Sequence, residues 1–559
     1  MTEKWRVAIR ADASGAMGTG HVRRCLALAQ ALSDMRAAPL FVCRRHDVVS
    51  SHVLPQDYPC YWLPGSALKV ASPPAPDALA STPAPDALAS TPALDALDEN
   101  TSPYVAWGGV SWQQDADETI NALKQDPPLW LVVDHYAWDA RWHQRVISAL
   151  GCKVMVIDDL ADRPLDADLV LNQNIHADHQ ARYEKLLDPK RLKRRFLFGP
   201  QFALLSGAYA TAPRYVFSQT VRSIGIFMGG TDPDDISSQA LKACREVAQF
   251  EGQVVLVSSS VSPHHAQRQA LAATWPQTHV VADLPDLASF FAEHDLQIGS
   301  GGGAAWERCC MGAPTLACTL AANQDAVLPQ LAAAGALELV DVLTSDSPSR
   351  VLGEKVRSLI FNSARRHQLS LQASRWVDGQ GARRVAAAMS LVMHADLRLR
   401  RVVSSDEQLL LGWSNDTQTR LNAFSPNMIQ PQTHSNWLRL KLSQPEHCVF
   451  LIAEAHNGVP VGTIRFDLGS DHFNADENVW CLSYSIDPAF RGLGLGRALV
   501  ELGGGFMAKV SHAPTVLQAL VKVDNYPSAK IFASMCFSKA ETEHAGQAAY
   551  CFQKPLVRI

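Results

Sequence analysis

The chain has 559 residues, too many for one hydrophobic core, so roughly two to four domains are expected. Its 47% hydrophobic and 19% charged residues fit a globular protein, and a formal net charge of -5 without any basic block argues against nucleic acid or an anionic membrane as partner. No apolar run reaches a membrane-spanning length and no signal-peptide core precedes Trp5, while twelve cysteines without a CxxC pair read as free thiols in a reducing, cytoplasmic setting, with no metal site expected.

The alternating stretch Trp5-Arg6-Val7-Ala8-Ile9 predicts a strand, and Leu26, Leu28, Ala29 and Leu32 predict the buried face of a helix. Between them lies a loop with Gly15, Gly18 and Gly20, followed by His21. Strand, glycine loop and helix start form a natural cradle for a phosphate. His21 at the helix start should stay neutral and able to accept a proton. Gly18, Gly20 and His21, with Asp12 before them, are the first candidate site residues. Alone, such a loop reads as an ordinary strand-to-helix turn with a capping histidine, and it gains weight only from motifs further along the chain.

Pro39 to Cys43 predicts a second strand. The nonapeptide Ala75-Pro76-Asp77-Ala78-Leu79-Ala80-Ser81-Thr82-Pro83 then recurs letter for letter at 84–92, with a decayed third copy from Ala93. Two prolines per copy preclude regular structure, and residues 72–103 are expected to be a disordered insertion without chemistry.

The fold resumes at Trp107-Gly108-Gly109, with a helix predicted from Asp115 to Leu123. Buried strands Trp130–Val133, Val154–Ile157 and Leu169–Leu171 each end in a polar cluster: Asp134-His135-Tyr136, Asp158-Asp159 and Asn172-Gln173-Asn174. In parallel sheets ligands bind beyond the carboxyl ends of strands, so three such clusters beside His21 point to one cleft. A second parallel-sheet domain begins near Arg222. Its strand Ser223–Met228 runs into Gly229-Gly230-Thr231-Asp232-Pro233, ahead of a helix over Ser237–Val247. Leu296–Gly299 runs into Ser300-Gly301-Gly302-Gly303, ahead of a helix carrying Glu307. A strand from Pro314 ends near Asn323-Gln324, and residues 327–390 are largely helical.

Gly18-Thr19-Gly20-His21 with Arg24-Cys25, Asp134-His135-Tyr136, Asn172-Gln173-Asn174, Gly229 to Pro233, Gly301-Gly302 with Trp306 to Cys309, and Asn323-Gln324 resemble the nucleotide-sugar hydrolases of pseudaminic acid biosynthesis. The resemblance covers residues 5 to about 385 and implies a GT-B-like pair of doubly wound Rossmann-type domains, here 1–215 and 216–390. It implies that His21 deprotonates or positions the attacking water. It places the diphosphate at Gly229, Gly230, Thr231, Gly301 and Gly302, the ribose at Glu307, and the sugar near Tyr136, Asn172, Asn323 and Gln324. The implied substrate is UDP-2,4-diacetamido-2,4,6-trideoxy-β-L-altropyranose. A GT-B glycosyltransferase and a non-catalytic nucleotide-sugar binding module are the rivals.

Residues 397–559 read as a separate α/β domain. Val449–Glu454 and Pro460–Phe466 flank Asn457-Gly458, a hairpin signal. A strand from Val479 to Ile486 leads into Arg491-Gly492-Leu493-Gly494-Leu495-Gly496-Arg497 and a helix. This loop, with Asn525 to Phe532 and Cys536-Phe537, resembles the pyrophosphate loop and later motif of GNAT-superfamily acetyltransferases. The resemblance implies acetyl-CoA as co-substrate, bound by Arg491, Gly492, Gly494, Gly496, Arg497, Asn525 and Ser528. Phe532 stands where many relatives carry the tyrosine that protonates the departing thiolate, and Cys536 stands where glycine is usual. Tyr484 is a candidate acid and Glu454 a candidate base. The joint expectation is a bifunctional cytoplasmic enzyme acting on UDP-linked amino sugars, acetylating one and hydrolysing the next.

Overall fold

The computed structural model describes residues 5–15, 17–47, 57–65, 104–176, 178–186, 195–230, 232–320, 327–342, 344–393, 397–455, 458–469, 478–491, 493–511 and 513–556. The chain divides into two compact units, Met1–Val385 and Ala386–Ile559. The repeat expected over 72–103 lies outside the described residues.

The first unit contains two wholly parallel sheets. The first has seven strands: β1 (Arg6–Ala11), β2 (Ala38–Arg44), β3 (Cys60–Leu63), β4 (Trp130–Asp134), β5 (Lys153–Ile157), β6 (Leu169–Asn172) and β7 (Arg195–Phe198), in the order β3-β2-β1-β4-β5-β6-β7. The second has β8 (Ser223–Phe227), β9 (Gln253–Ser258), β10 (Thr278–Ala282), β11 (Leu296–Ser300), β12 (Thr315–Cys318) and β13 (Glu338–Val340), in the order β10-β9-β8-β11-β12-β13. In both sheets the strand order reverses at the first strand, between β1 and β4 and between β8 and β11. That is the doubly wound pattern, with its ligand crevice at the reversal. Helices cover both faces, which is why β4 and β11 are buried at every residue.

The helices that shape the crevice are α1 (Gly20–Asp34) after β1, α2 (Trp112–Leu123), α3 (Ala140–Leu150) after β4, α4 (Ile236–Lys242) after β8 and α5 (Gly303–Met311) after β11. The helix expected from Asp115 starts earlier, at Trp112, because Ser111 caps it by accepting the Gln114 N–H at 3.2 Å. The helix expected over Ser237–Val247 ends in a π-helical turn at Ala243–Val247. Helix α6 (Gly381–Met393) runs across the division between the units.

The second unit holds one mixed sheet: β14 (Arg398–Arg401), β15 (Cys448–Glu454), β16 (Pro460–Leu468), β17 (Asn478–Ile486), β18 (Thr515–Lys522), β19 (Ser538–His544) and β20 (Gln547–Pro555), in the order β14-β15-β16-β17-β18-β20-β19. Neighbours are antiparallel except β17 and β18. That parallel pair is joined only from Asn478↔Thr515 to Cys481↔Gln518, although both strands run on, so the sheet opens there. Helix α7 (Leu495–Val510) follows β17 and α8 (Tyr526–Ser534) follows β18. In the hairpin between β15 and β16, Gly458 takes φ +74; Asn457 lies outside the described residues. Among the described residues, no helix is long and apolar enough to cross a membrane.

Candidate active sites

The loop from β1 to α1 folds back on itself. The Gly18 N–H donates to the Ser14 carbonyl at 2.8 Å, and the Met17 N–H donates to Ser14 Oγ at 3.1 Å. Gly18 closes this turn at φ +74, a conformation that glycine adopts without a Cβ penalty. Helix α1 then starts at Gly20 with no side-chain cap from Thr19, which leaves its first N–H groups for another acceptor.

His21 is the second residue of α1. Strand β4 pairs with β1 so that Ala11 faces Asp134, and this register brings the Asp134 carboxylate beneath the helix start. His21 Nδ1 lies 2.7 Å from Asp134 Oδ1. One turn along, Arg24 grips the same carboxylate through Nε and Nη2, each at 2.7 Å, and reaches Asp159 with Nη1 at 2.6 Å. Burial works to raise the Asp134 pKa, but Arg24 and then His21 outweigh it and hold the carboxyl well below the usual range. An ionised carboxylate only accepts, so His21 Nδ1 carries the hydrogen of this bond. Tyr136 packs edge-on to the imidazole, with centroids 4.7 Å apart, and donates to Asp159 Oδ2 at 2.6 Å. Asn174 Nδ2 donates to Asp159 Oδ1 at 2.9 Å. The three polar strand ends therefore form one network around His21, as their position suggested.

Three expected substrate contacts need correction. Asp12 has a fully buried side chain whose oxygens accept from Arg10 at 2.5 and 2.9 Å and from the Arg44 N–H at 2.7 Å. Asn172 is buried and bridges inward, donating to Tyr183 Oη at 3.0 Å and accepting the Asn174 N–H at 3.0 Å. The Tyr136 hydroxyl is spent on Asp159, and only 2% of the residue is exposed. Each holds the strand ends in place instead of facing the crevice.

The second sheet brings its own glycine loop to the first. A Cβ on Gly230 would stand 3.2 Å from Thr19 Oγ1, so Gly229-Gly230 and Gly18-Thr19-Gly20 abut. Asp232 anchors this loop by accepting the Ile236 and Ser237 N–H groups at 3.0 Å and Arg268 Nη2 at 2.7 Å. Gly301 and Gly302 precede α5, which Gly302 caps with no side-chain bond, and nothing lies within 4 Å of a Cβ built on Gly302 or Gly303. Glu307 lies one turn into α5 and is half-buried. Burial raises its pKa, against Arg23 of α1 and a hydrogen bond with Tyr209. Two uncapped helix starts, one carrying His21 and the other Glu307, thus come close together in the first unit. Thr231, Asn323 and Gln324 lie outside the described residues.

In the second unit, Gly494 takes φ +77 at the start of α7, where no side chain caps the helix. Gly496 has a packing role besides the one expected. A Cβ there would come 2.8 Å from Ile531 Cδ1 and 3.4 Å from Tyr484 Cε2, so this glycine lets α7 pack on α8 and β17. Arg491 is tied to Asp416 at 2.6 Å and Thr419 at 3.0 Å, and Arg497 pairs with Glu501 at 2.8 Å on the surface. Asn525 caps α8 by accepting the Ser528 N–H. Ser528 Oγ stands 3.0 Å from Tyr484 Oη, beside the opening of the sheet. Burial raises the Tyr484 pKa and Ser528 opposes this, leaving the hydroxyl protonated at neutral pH. Phe532 is buried, with its ring 6.0 Å from that of Tyr484. Glu454 is engaged by Arg400 at 2.6 Å. Gly492 lies outside the described residues.

Sequence reasoning assigned no role to Asp134, Arg24 or Asp159. The available signal was the charge at the end of each buried strand.

The acetyltransferase (GNAT) family profile matches residues 415–536, and the second unit carries a domain of that family. The first unit is similar to the spore coat polysaccharide biosynthesis protein SpsG of Bacillus subtilis (strain 168), with 26% identity over 282 residues, 49% of this chain and 80% of the relative. Among solved structures, MurG of Acinetobacter baumannii aligns with 68% of this chain and 98% of its own at 16% identity and a TM-score of 0.42. The putative acetyltransferase yncA of Salmonella typhimurium, solved with acetyl-CoA, aligns with 29% of this chain and 95% of its own at 17% identity and a TM-score of 0.25.

Proposed function

We propose that the chain is a bifunctional enzyme of nucleotide amino-sugar synthesis. Its second unit transfers acetyl from acetyl-CoA to the 4-amino group of UDP-4-amino-4,6-dideoxy-N-acetyl-β-L-altrosamine. Its first unit hydrolyses UDP-2,4-diacetamido-2,4,6-trideoxy-β-L-altropyranose to UDP and free sugar.

The hydrolase reading rests on His21 held by Asp134 where two glycine loops abut. In the proposed reaction His21 Nε2 takes a proton from water, whose oxygen attacks the anomeric carbon. The bond from that carbon to the UDP oxygen breaks, and UDP leaves with the electron pair. N–H groups at Gly229, Gly230, Gly301, Gly302 and the start of α5 balance the diphosphate charge. Glu307 accepts from the ribose; for the sugar, the family resemblance alone names Asn323 and Gln324 as candidates.

In acetyl transfer the amine nitrogen attacks the thioester carbonyl, and collapse of the tetrahedral intermediate breaks the carbon–sulfur bond. The nitrogen sheds its proton to solvent, and Tyr484 gives the departing thiolate a proton that it regains from solvent, a task Phe532 cannot perform. Gly494 and the start of α7 hold the cofactor diphosphate.

The deciding experiment supplies the diacetamido UDP-sugar to the pure protein with no acceptor. Equimolar UDP and free sugar are expected. UDP appearing only with an added acceptor would establish a glycosyltransferase, and binding without turnover a binding module.

A further inference from the structure

Trp107 belongs to a motif with no part in the proposed hydrolysis. It sits in the short 3₁₀ turn Val105–Gly108 that leads into α2, and only 5% of it is exposed. The ring is fixed on several sides. It stacks on Tyr136 with centroids 5.8 Å apart and planes at 23°, and it meets Tyr104 edge-on at 4.8 Å. The next residue, Gly108, lies so close to the Trp138 ring that no side chain fits there, and Gly109 ends the turn at φ +69. Met17, from the loop before α1, completes this aromatic cluster. His21 is part of the same wall, its imidazole edge-on to the indole at a centroid distance of 6.2 Å.

The indole Nε1–H is buried and has no hydrogen-bond partner among the described residues. Indole nitrogen only donates, so a buried indole without an acceptor carries a desolvation cost with nothing to offset it. The neighbouring Tyr136 avoids this by donating to Asp159. An unpaired donor on a ring that cannot turn away, beside the proposed base, is the arrangement expected where a ligand supplies the acceptor.

We propose that Trp107 is a specificity determinant of the first unit. Its indole N–H donates to an acceptor oxygen of the sugar, an amide carbonyl or a hydroxyl, held against His21. The uridine diphosphate makes no contact with it. This inference rests on the nucleotide-sugar reading of the site, and its tests separate the two.

Trp107→Phe keeps an aromatic ring on Tyr136 and removes the donor. The expected result is a fall of about tenfold in kcat/KM for the diacetamido UDP-sugar, with the inhibition constant of UDP unchanged. Unchanged kcat/KM overturns the inference and leaves the hydrolase reading standing. If the unaltered protein shows no turnover, the reaction assigned to the first unit fails, and calorimetric affinities for UDP and for the UDP-sugar then test Trp107 on their own. A second measurement needs no variant. The ¹H–¹⁵N indole resonance of Trp107 should shift on adding the UDP-sugar and stay in place with UDP. A resonance unmoved by both, or moved equally by UDP, overturns the proposal.

Discussion

His21 Nδ1 and Asp134 Oδ1 stand 2.7 Å apart although 113 residues separate them in the chain. The pair fixes which imidazole nitrogen carries hydrogen. Asp134→Asn would place an amide where an ionised acceptor is needed and allow the opposite tautomer. A fall in UDP release of about 10²- to 10⁴-fold is expected for this variant and for His21→Asn. The double variant should lose little more than either single one, because the two residues act as a unit. With heavy-oxygen water, the label should enter the free sugar. Label in UDP would place attack at phosphorus.

Two glycines of the second unit should respond differently to valine. Gly494 adopts φ +77 at the start of α7, so Gly494→Val distorts the loop and should weaken acetyl-CoA binding sharply in calorimetry. Gly496→Val collides with Ile531 and Tyr484 between α7 and α8, and its main effect should be on stability, about 1–3 kcal/mol. Neither change should alter UDP release by the first unit.

Tyr484→Phe tests the proton donor. Acetyl transfer should fall about 10- to 100-fold in kcat with little change in the KM for acetyl-CoA. The alkaline fall in rate of the unaltered protein should disappear in the variant. A wild-type rate would reduce the Tyr484–Ser528 bond to packing.

His135 predicts an acid sensitivity. Burial lowers its pKa from 6.5 to about 4, against the pull of Asp12. Between those pH values the unfolded chain binds a proton that the folded chain refuses, so stability falls as pH drops through that window. The full effect is about 3 kcal/mol. His135→Gln should flatten the melting temperature of the first unit between pH 7 and pH 4.5. An unchanged slope would assign the acid sensitivity to other groups.

Much of this architecture was legible in the sequence because parallel strands buried on both faces are continuous apolar runs, as at Trp130–Val133 and Val154–Ile157. The glycine loops were legible too, since few other residues tolerate those turns. The edge strand β19 was not. All seven residues of β19 are exposed and include Lys539, Glu541 and Glu543, so no alternation marks them. The sites were only partly legible, since a polar residue at a strand end looks the same whether it points outward or inward. Asp12 and Asn172 point inward, held by Arg10 and Tyr183, partners that only the fold brings near. At Gly496 the letter alone is ambiguous: a glycine required by helix packing and one required by a ligand look the same in sequence.

Arg24 divides one guanidinium between Asp134 and Asp159. Each carboxylate therefore sets the position of the cation that the other depends on. Removing Asp159 would leave Arg24 free to tilt, and the loss would be felt 135 residues away from it in sequence at the helix that carries His21. In a double-mutant cycle the two aspartates should show a coupling energy well beyond additivity. In the proposed hydrolysis, variation at position 159 would then tune His21 through Arg24, from a side chain whose partners include Arg24, Tyr136 and Asn174.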